Sequence, residues 1–164
     1  MSEATPALSL KRGDARGLKV RIVVSEFNRH VTSRLVRSAQ ARLKALGGFE
    51  APVDWVPGAL ELPLAARWAL KSKPDAVVAL GCVIRGETSH YDLVCRGALD
   101  GLMRVSLDSA TPVLFGVVTV ENEAQALARS NGGPKDAGRH ALDAALAMAL
   151  LRRRNAATAK RRAA

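Results

Sequence analysis

Aromatic residues make up only 4% of this 164-residue chain, so its core must be built from Ala, Val, Leu and Ile, which the 48% apolar content can supply. No apolar run approaches the ~20 residues that span a bilayer, which excludes a transmembrane helix. The opening stretch MSEATPALSL lacks the basic start and long apolar segment of a signal peptide. The expectation is a soluble cytoplasmic protein. There are two cysteines, Cys82 and Cys95, and neither sits in a CxxC pair or near a second ligand at metal spacing. A disulfide framework and a zinc site are therefore not expected, and both thiols should be free. The first strand is not followed by GxGxxG, GGPKDAG at 132–138 lacks the GK[ST] ending of a phosphate loop, and no GxSxG elbow occurs. The histidines, at 30, 90 and 140, are too scattered to suggest a metal site or a Ser-His-Asp triad. No metal or organic cofactor is expected.

Acids are missing from one place in particular. The formal net charge is +10, and residues 152–164 contribute six bases (Arg152, Arg153, Arg154, Lys160, Arg161 and Arg162) with no acid. Without that segment 19 bases face 15 acids, a net charge of +4. The basicity is thus largely a C-terminal tail, which either has affinity for polyanions or is simply solvated. A dedicated nucleic-acid partner is not expected, nor a membrane.

Residues 1–18 mix Pro, Gly, Ser and charge without periodicity and read as an arm outside the core. VRIVVS at 20–25 is a β-branched run suited to a buried strand. Val31, Leu35, Ala39, Leu43 and Leu46 then recur at helical spacing, and Gly47-Gly48 is a natural stop. APVDWV at 51–56 reads as a second strand, followed by a helix from Leu62 to Leu70 whose Pro63 falls in the first turn. DAVVALGCVI at 75–84 is the most apolar strand and the expected centre of the sheet. A helix from His90 to Leu107, a strand at 111–119, a short helix from Glu123 to Arg129 and a long Ala-rich helix from Lys135 to Arg153 complete the chain. Strands that are continuously apolar and alternate with helices predict a doubly wound, flavodoxin-like α/β three-layer sandwich, a four-stranded parallel sheet flanked by helices on both faces. Trp55 and Trp68 are assigned to core packing.

Ligands of such a sheet bind beyond the carboxyl ends of its strands. The segments there are Ser25-Glu26-Phe27-Asn28, Pro57 to Glu61, Gly81 to His90 and Val118 to Asn122, so glycine, amides, carboxylates and a histidine gather on one edge. In RGETSH, Gly86 permits backbone conformations that aim successive N–H groups at one point, and Thr88 and Ser89 offer hydroxyls or a helix cap. The N–H groups of a helix start suit a phosphate or an oxyanion, and His90 beside them belongs to the residue type that exchanges protons near neutral pH. An ordinary strand-to-helix turn with a solvent-facing histidine is the alternative. Phe27 is one of three phenylalanines and lies in a polar turn, where its ring stacks on a planar heterocycle or caps a helix end. Glu61 either accepts hydrogen bonds from ligand hydroxyls or favours the first turn of its helix. Arg129, at the end of the short helix and facing the same region, matches phosphate or is a solvated surface residue.

Several ordered motifs resemble those of one family, the lumazine synthases. They are the Phe27-Asn28 turn, VPGALELP at 56–63, GCVIRGETSHYDLV at 81–94, and PVLFGVVT with ENEAQALAR between 112 and 129. The likeness spans Val20 to Leu151. It implies condensation of 5-amino-6-(D-ribitylamino)uracil with 3,4-dihydroxy-2-butanone 4-phosphate to 6,7-dimethyl-8-ribityllumazine, the penultimate step of riboflavin biosynthesis, with loss of phosphate and water and no cofactor. Carried over residue by residue, it implies that Phe27 stacks on the pyrimidinedione, that Ala59, Leu60 and Glu61 hold its edge and ribityl chain, and that Cys82, Val83 and Ile84 line the ring pocket. It assigns the phosphate to Glu87, Thr88 and Arg129 and proton transfer to His90. Phe115 and Arg129 are expected from a neighbouring subunit, so the sites lie between chains of a pentamer, which some members pack into icosahedral shells. The arm, residues 1–18, resembles the family segment that adds a strand to a neighbour's sheet, ahead of a catalytic domain at 19–154 and a basic tail at 155–164. The chain departs from the family at Gly132 to Gly138, where Asn-Lys-Gly is usual; Lys135 is the candidate for that lysine, one residue out of register. Two other readings remain: a related riboflavin synthase of the archaeal type, and an assembly protein with a degenerate site.

Overall fold

A computed structural model describes residues 9–163, and within them the strand–helix alternation expected from the pattern is present. Strands β1 (Val20–Ser25), β2 (Val53–Val56), β3 (Ala76–Ile84) and β4 (Val113–Val120) form one parallel sheet in the order β2-β1-β3-β4. The helices are α1 (Arg29–Ala45), α2 (Leu62–Ala69), α3 (His90–Ser109), α4 (Glu123–Ala128) and α5 (Ala137–Ala163).

Alternation along the strands divides the core into two layers. Ile22, Val24, Val78, Leu80 and Cys82 turn to one face and pack with α1 and α5 through Val31, Leu35, Leu142 and Leu146. Val23, Val77, Ala79 and Val117 turn to the other and pack with α2 and α3 through Leu62, Ala66, Ala98 and Leu102. Each strand is apolar on both sides because each side is covered by helices, the situation that favours Val, Ile and Leu without polar alternation. The fold is the predicted three-layer α/β sandwich, with β3 at its centre.

Some boundaries differ from the sequence reading for visible reasons. Strand β2 begins at Val53 rather than Ala51, because the Gln40 amide brackets Ala51, donating to its carbonyl at 2.7 Å and accepting from its N–H at 2.9 Å. A 3-10 turn, Ala59–Glu61, precedes α2. The segment read as an arm outside the core contributes to it: Ala15 and Leu18 are buried, and the Gly13 N–H donates to the Leu46 carbonyl at 2.8 Å. Residues 1–8 of that arm lie outside the described residues. Trp68, expected in the core, is 58% exposed, and Trp55 is half-buried with the Arg29 guanidinium 4.3 Å above its ring. Helix α5 continues to Ala163, ten residues beyond the expected end at Arg153.

Candidate active site

Strand β3 outlasts its neighbour. Pairing between β1 and β3 stops at Val24 with Leu80, whereas β3 stays paired to β4 as far as Ile84 with Val120. The edge of Gly81–Ile84 that faces β1 is therefore outside the ladder, and its peptide groups are available to other partners. One is already taken: Asn28 Nδ2 donates to the Cys82 carbonyl at 3.0 Å. Asn28 has a left-handed backbone, φ 56°, a conformation asparagine tolerates far better than most residues. The bend turns the chain from β1 into α1 and leaves Phe27 beside the open edge.

A cleft of about 440 Å³ lies along this edge. Its walls are Phe27 and Asn28 after β1, Gly58 to Glu61 after β2, and Cys82, Val83, Ile84, Gly86 and Thr88 on and after β3, with His90, Tyr91 and Val94 of α3 closing the side. The carboxyl ends of three adjacent strands thus build one site, as an open parallel sheet requires. Of the residues singled out from sequence, the cleft gathers Phe27, Ala59, Leu60, Glu61, Cys82, Val83, Ile84, Thr88 and His90. Phe27 is 73% exposed, a flat apolar surface at the mouth with no protein partner covering it.

The loop after β3 differs in detail from expectation. Gly86 does not take positive φ, and a methyl group there would meet nothing within 4 Å, so this glycine is not forced by the backbone. Thr88 and Ser89 do not cap α3 in the usual way; Thr88 Oγ1 accepts from the His90 N–H at 3.3 Å, and Ser89, the residue before the helix, makes no side-chain cap. Glu87 is exposed and does not line the cleft. What holds the loop is Arg85, which sequence reasoning passed over. Its guanidinium grips Asp92 of α3 in a fork, at 3.2 and 3.1 Å, and Glu121 after β4 at 2.9 Å. It also lies over the Tyr91 ring, 4.0 Å from the centroid. The Asp92 hydrogen bonds, then those to Glu121, push the Arg85 guanidinium further up, and Arg85 in turn holds Asp92 below the usual carboxylate range. The segment Val118 to Asn122, expected in the site, takes part through this clamp rather than by lining the cleft.

Burial pushes the Cys82 thiol up to about 11 and also raises the Cys95 thiol and the Tyr91 hydroxyl. All three are neutral near pH 7, so neither cysteine is a ready nucleophile. Both cysteines are free, and no metal-binding cluster occurs among the described residues.

Phe115 and Arg129 are elsewhere. Strand β4 lies at the sheet's edge, and beside it a recess of about 410 Å³ is lined by Phe115, Thr119, Arg129, Lys135 and His140, with β4 backbone between them. Within one chain Arg129 does not face the cleft, contrary to the reading of its helix, and its Nη1 donates to the Gln125 carbonyl at 3.1 Å. Lys135, the candidate for the family lysine, and His140, which the sequence did not single out, share Arg129's recess. The adjacent carboxylate does not neutralise them. Asp136 is fully buried and accepts from Ser38 Oγ at 2.6 Å, the Gly132 N–H at 2.7 Å and the Arg139 N–H at 2.9 Å.

The 6,7-dimethyl-8-ribityllumazine synthase family matches residues 17–153. The chain belongs to that family. It is 45% identical over 131 residues to the 6,7-dimethyl-8-ribityllumazine synthase of Bdellovibrio bacteriovorus, covering 80% of this chain and 73% of the relative. The enzyme of the same name from Leifsonia xyli subsp. xyli is 42% identical over 152 residues, 92% of this chain and 96% of its own length. That of Salinibacter ruber is 44% identical over 138 residues, 82% and 88% of the two chains. As a lumazine synthase family member the chain is an enzyme of riboflavin biosynthesis acting on small molecules. No helix of the described residues is long and apolar enough to cross a membrane.

Proposed function

We propose that the protein condenses 5-amino-6-(D-ribitylamino)uracil with 3,4-dihydroxy-2-butanone 4-phosphate to 6,7-dimethyl-8-ribityllumazine, releasing phosphate and water, in the cytoplasm. The observation that carries this reading is the single cleft that unites Phe27, Glu61, the free edge of β3 and His90. A pyrimidinedione is planar with alternating donors and acceptors on its rim. Phe27 supplies the stacking face, and the peptide groups of Ile84, which turn to the open side of β3 while those of Val83 turn to β4, supply a backbone edge of matching chemistry beside the Val83 side chain. Cys82 contributes position, since its carbonyl is held by Asn28. Ala59 and Leu60 close the wall, and Glu61 accepts from ribityl hydroxyls. The loop Arg85 to Ser89 and the start of α3 receive the phosphate through the Thr88 hydroxyl and backbone N–H groups, that of Glu87 among them while its side chain stays in solvent, and Arg129 completes the phosphate site.

The substrate's own amine attacks the ketone, so no protein nucleophile is called for, in keeping with thiols that stay protonated. The protein aligns two reactants, stabilises the departing phosphate and moves protons through His90.

Phe115 and Arg129 reach the cleft of an adjacent subunit in this reading, and the catalytic unit, residues 19–154, works as a pentamer or an assembly of pentamers. Two features support an interface of this kind. The β4-edge recess holds an arginine, a lysine and a histidine that the chain's own cleft does not use. On the α2–α3 layer, Leu60, Leu64 and Trp68 and then Leu99, Met103 and Leu107 form two exposed stripes four residues apart, from 41% to 74% exposed. Contiguous exposed apolar surface of this kind marks a contact with another protein surface. Of the arm at residues 1–18, the part ahead of Gly13 adds to a neighbour's sheet while the rest is held on the chain's own core, and residues 155–164 form a tail outside the catalytic unit.

Mixing purified protein with both substrates tests the reading. Appearance of the fluorescent lumazine and one phosphate per product supports it. Product from two lumazines without the butanone phosphate points to the riboflavin synthase alternative, and no product from either points to an assembly protein.

A further inference from the structure

Helix α5 does not stop where the body of the protein does. Leu150 still packs on the core, but every side chain from Leu151 to Ala159 is exposed and the helix runs on to Ala163. From Arg152 to Ala164 the chain carries six bases and no acid. Arg152, Arg153, Arg154 and Arg161 are exposed along that helix, so their charge is displayed on a helix rather than diluted in a coil.

The extension leaves the body at the amino end of the sheet, where other bases gather. Lys73 and Arg152 line one recess of about 510 Å³ together with Asp75 and Arg153. Asp75 is the carboxylate of that recess and it is spent: it accepts from Arg153 Nε at 3.0 Å and from the Lys19 N–H at 2.8 Å. Arg153 also donates to the Gly17 carbonyl at 2.7 Å, which brings the segment bearing exposed Arg16 and Lys19 against the helix. Among the described residues Arg152, Arg154 and Lys73 are in no ion pair. The nine residues of β3 separate this face from the substrate cleft by roughly 30 Å at ~3.3 Å per residue.

We infer that this face, the amino end of the sheet with the extension of α5, binds the phosphodiester backbone of nucleic acid without sequence preference. Arginine is the cation best matched to phosphate oxygens. The segment from Arg152 to Ala163 has no aromatic side chain to stack on bases and no acceptor-rich side chain beyond Asn155 and Thr158 to read their edges. It also has no apolar side chain larger than alanine, so it lacks the means to insert into a bilayer.

The test uses the full chain and a fluorescently labelled oligouridine strand, with affinity followed by anisotropy as salt is raised. About four phosphate contacts give a log–log slope near −2.8, an affinity loss of about fifty-fold between about 50 and about 200 mM salt. The triple change Arg152→Glu, Arg154→Glu and Arg161→Glu should weaken binding by more than about tenfold while lumazine formation and helix content stay as in the unchanged protein. Absence of binding at low salt, binding indifferent to salt, or retention of affinity by the triple variant overturns the proposal. Equal affinity for polyglutamate, or tighter binding to phosphatidylglycerol vesicles, overturns it as well. None of these readouts depends on the catalytic reading, so the two fail separately.

Discussion

His90 is the one imidazole of the described residues that lines the cleft, and it sits at the first position of α3, where the Arg85 clamp fixes the helix start. Replacing it with alanine should slow lumazine formation by roughly 10- to 10⁴-fold, the scale of a lost general acid–base group. Unchanged turnover by a folded His90→Ala protein would remove the residue from the chemistry. Cys82 gives a pH prediction of definite sign. Its thiol ionises near 9.0 in the unfolded chain and only at about 11 when buried. Below pH 9 both states hold the proton. Above it the unfolded chain gains by ionising, so stability falls as pH rises from about 9 to about 11, by on the order of 2–3 kcal/mol at most. Denaturant midpoints of the parent and of Cys82→Ala, followed across that range, should converge by this amount; parallel curves would contradict the assignment. The residues in the cleft were largely legible from sequence because turn chemistry at strand ends announces itself. Arg85 was not, because its role is to tie its own loop to the start of α3 and to a residue 36 positions away after β4, and neither was the recess that Lys135 shares with His140 and Arg129, which exists only once α5 lies against β4.

The elements were readable in proportion to how local their causes are. Strand β1 has the bounds its β-branched run suggested. The start of α5 does not. It was expected near Lys135, but Asp136 withdraws to cap the helix and to accept from Ser38 of α1, a tertiary partner invisible in the local pattern. The far end of α5 was placed ten residues short, with the basic stretch read as a tail, whereas Ala, Arg and Lys are strong helix formers and no Gly or Pro intervenes. The α1–α5 seam is also where a single methyl should matter. A Cβ at Gly138 would fall 2.3 Å from the Leu35 carbonyl oxygen, so the two helices must separate to admit it. Gly138→Ala should cost about 1–3 kcal/mol, seen as a lower urea midpoint at an unchanged slope. A midpoint equal to the parent's would show that the seam is looser than its geometry.

At the scale of the molecule, β4 at the sheet edge and the apolar stripes of α2 and α3 describe a chain with unfinished surfaces. The cleft holds the ring-stacking phenylalanine and the imidazole, and the recess behind β4 holds Arg129. If the site is shared, its two halves can be broken in different chains. His90→Ala and Arg129→Ala should each lower activity when expressed alone. Co-expressed in equal amounts, they assemble at random, and about one site in four then pairs an intact cleft with an intact recess. The account predicts recovery of about a quarter of the parent activity in the mixed assembly. No recovery, in assemblies shown to contain both variants, would place the whole site within one chain and contradict the account.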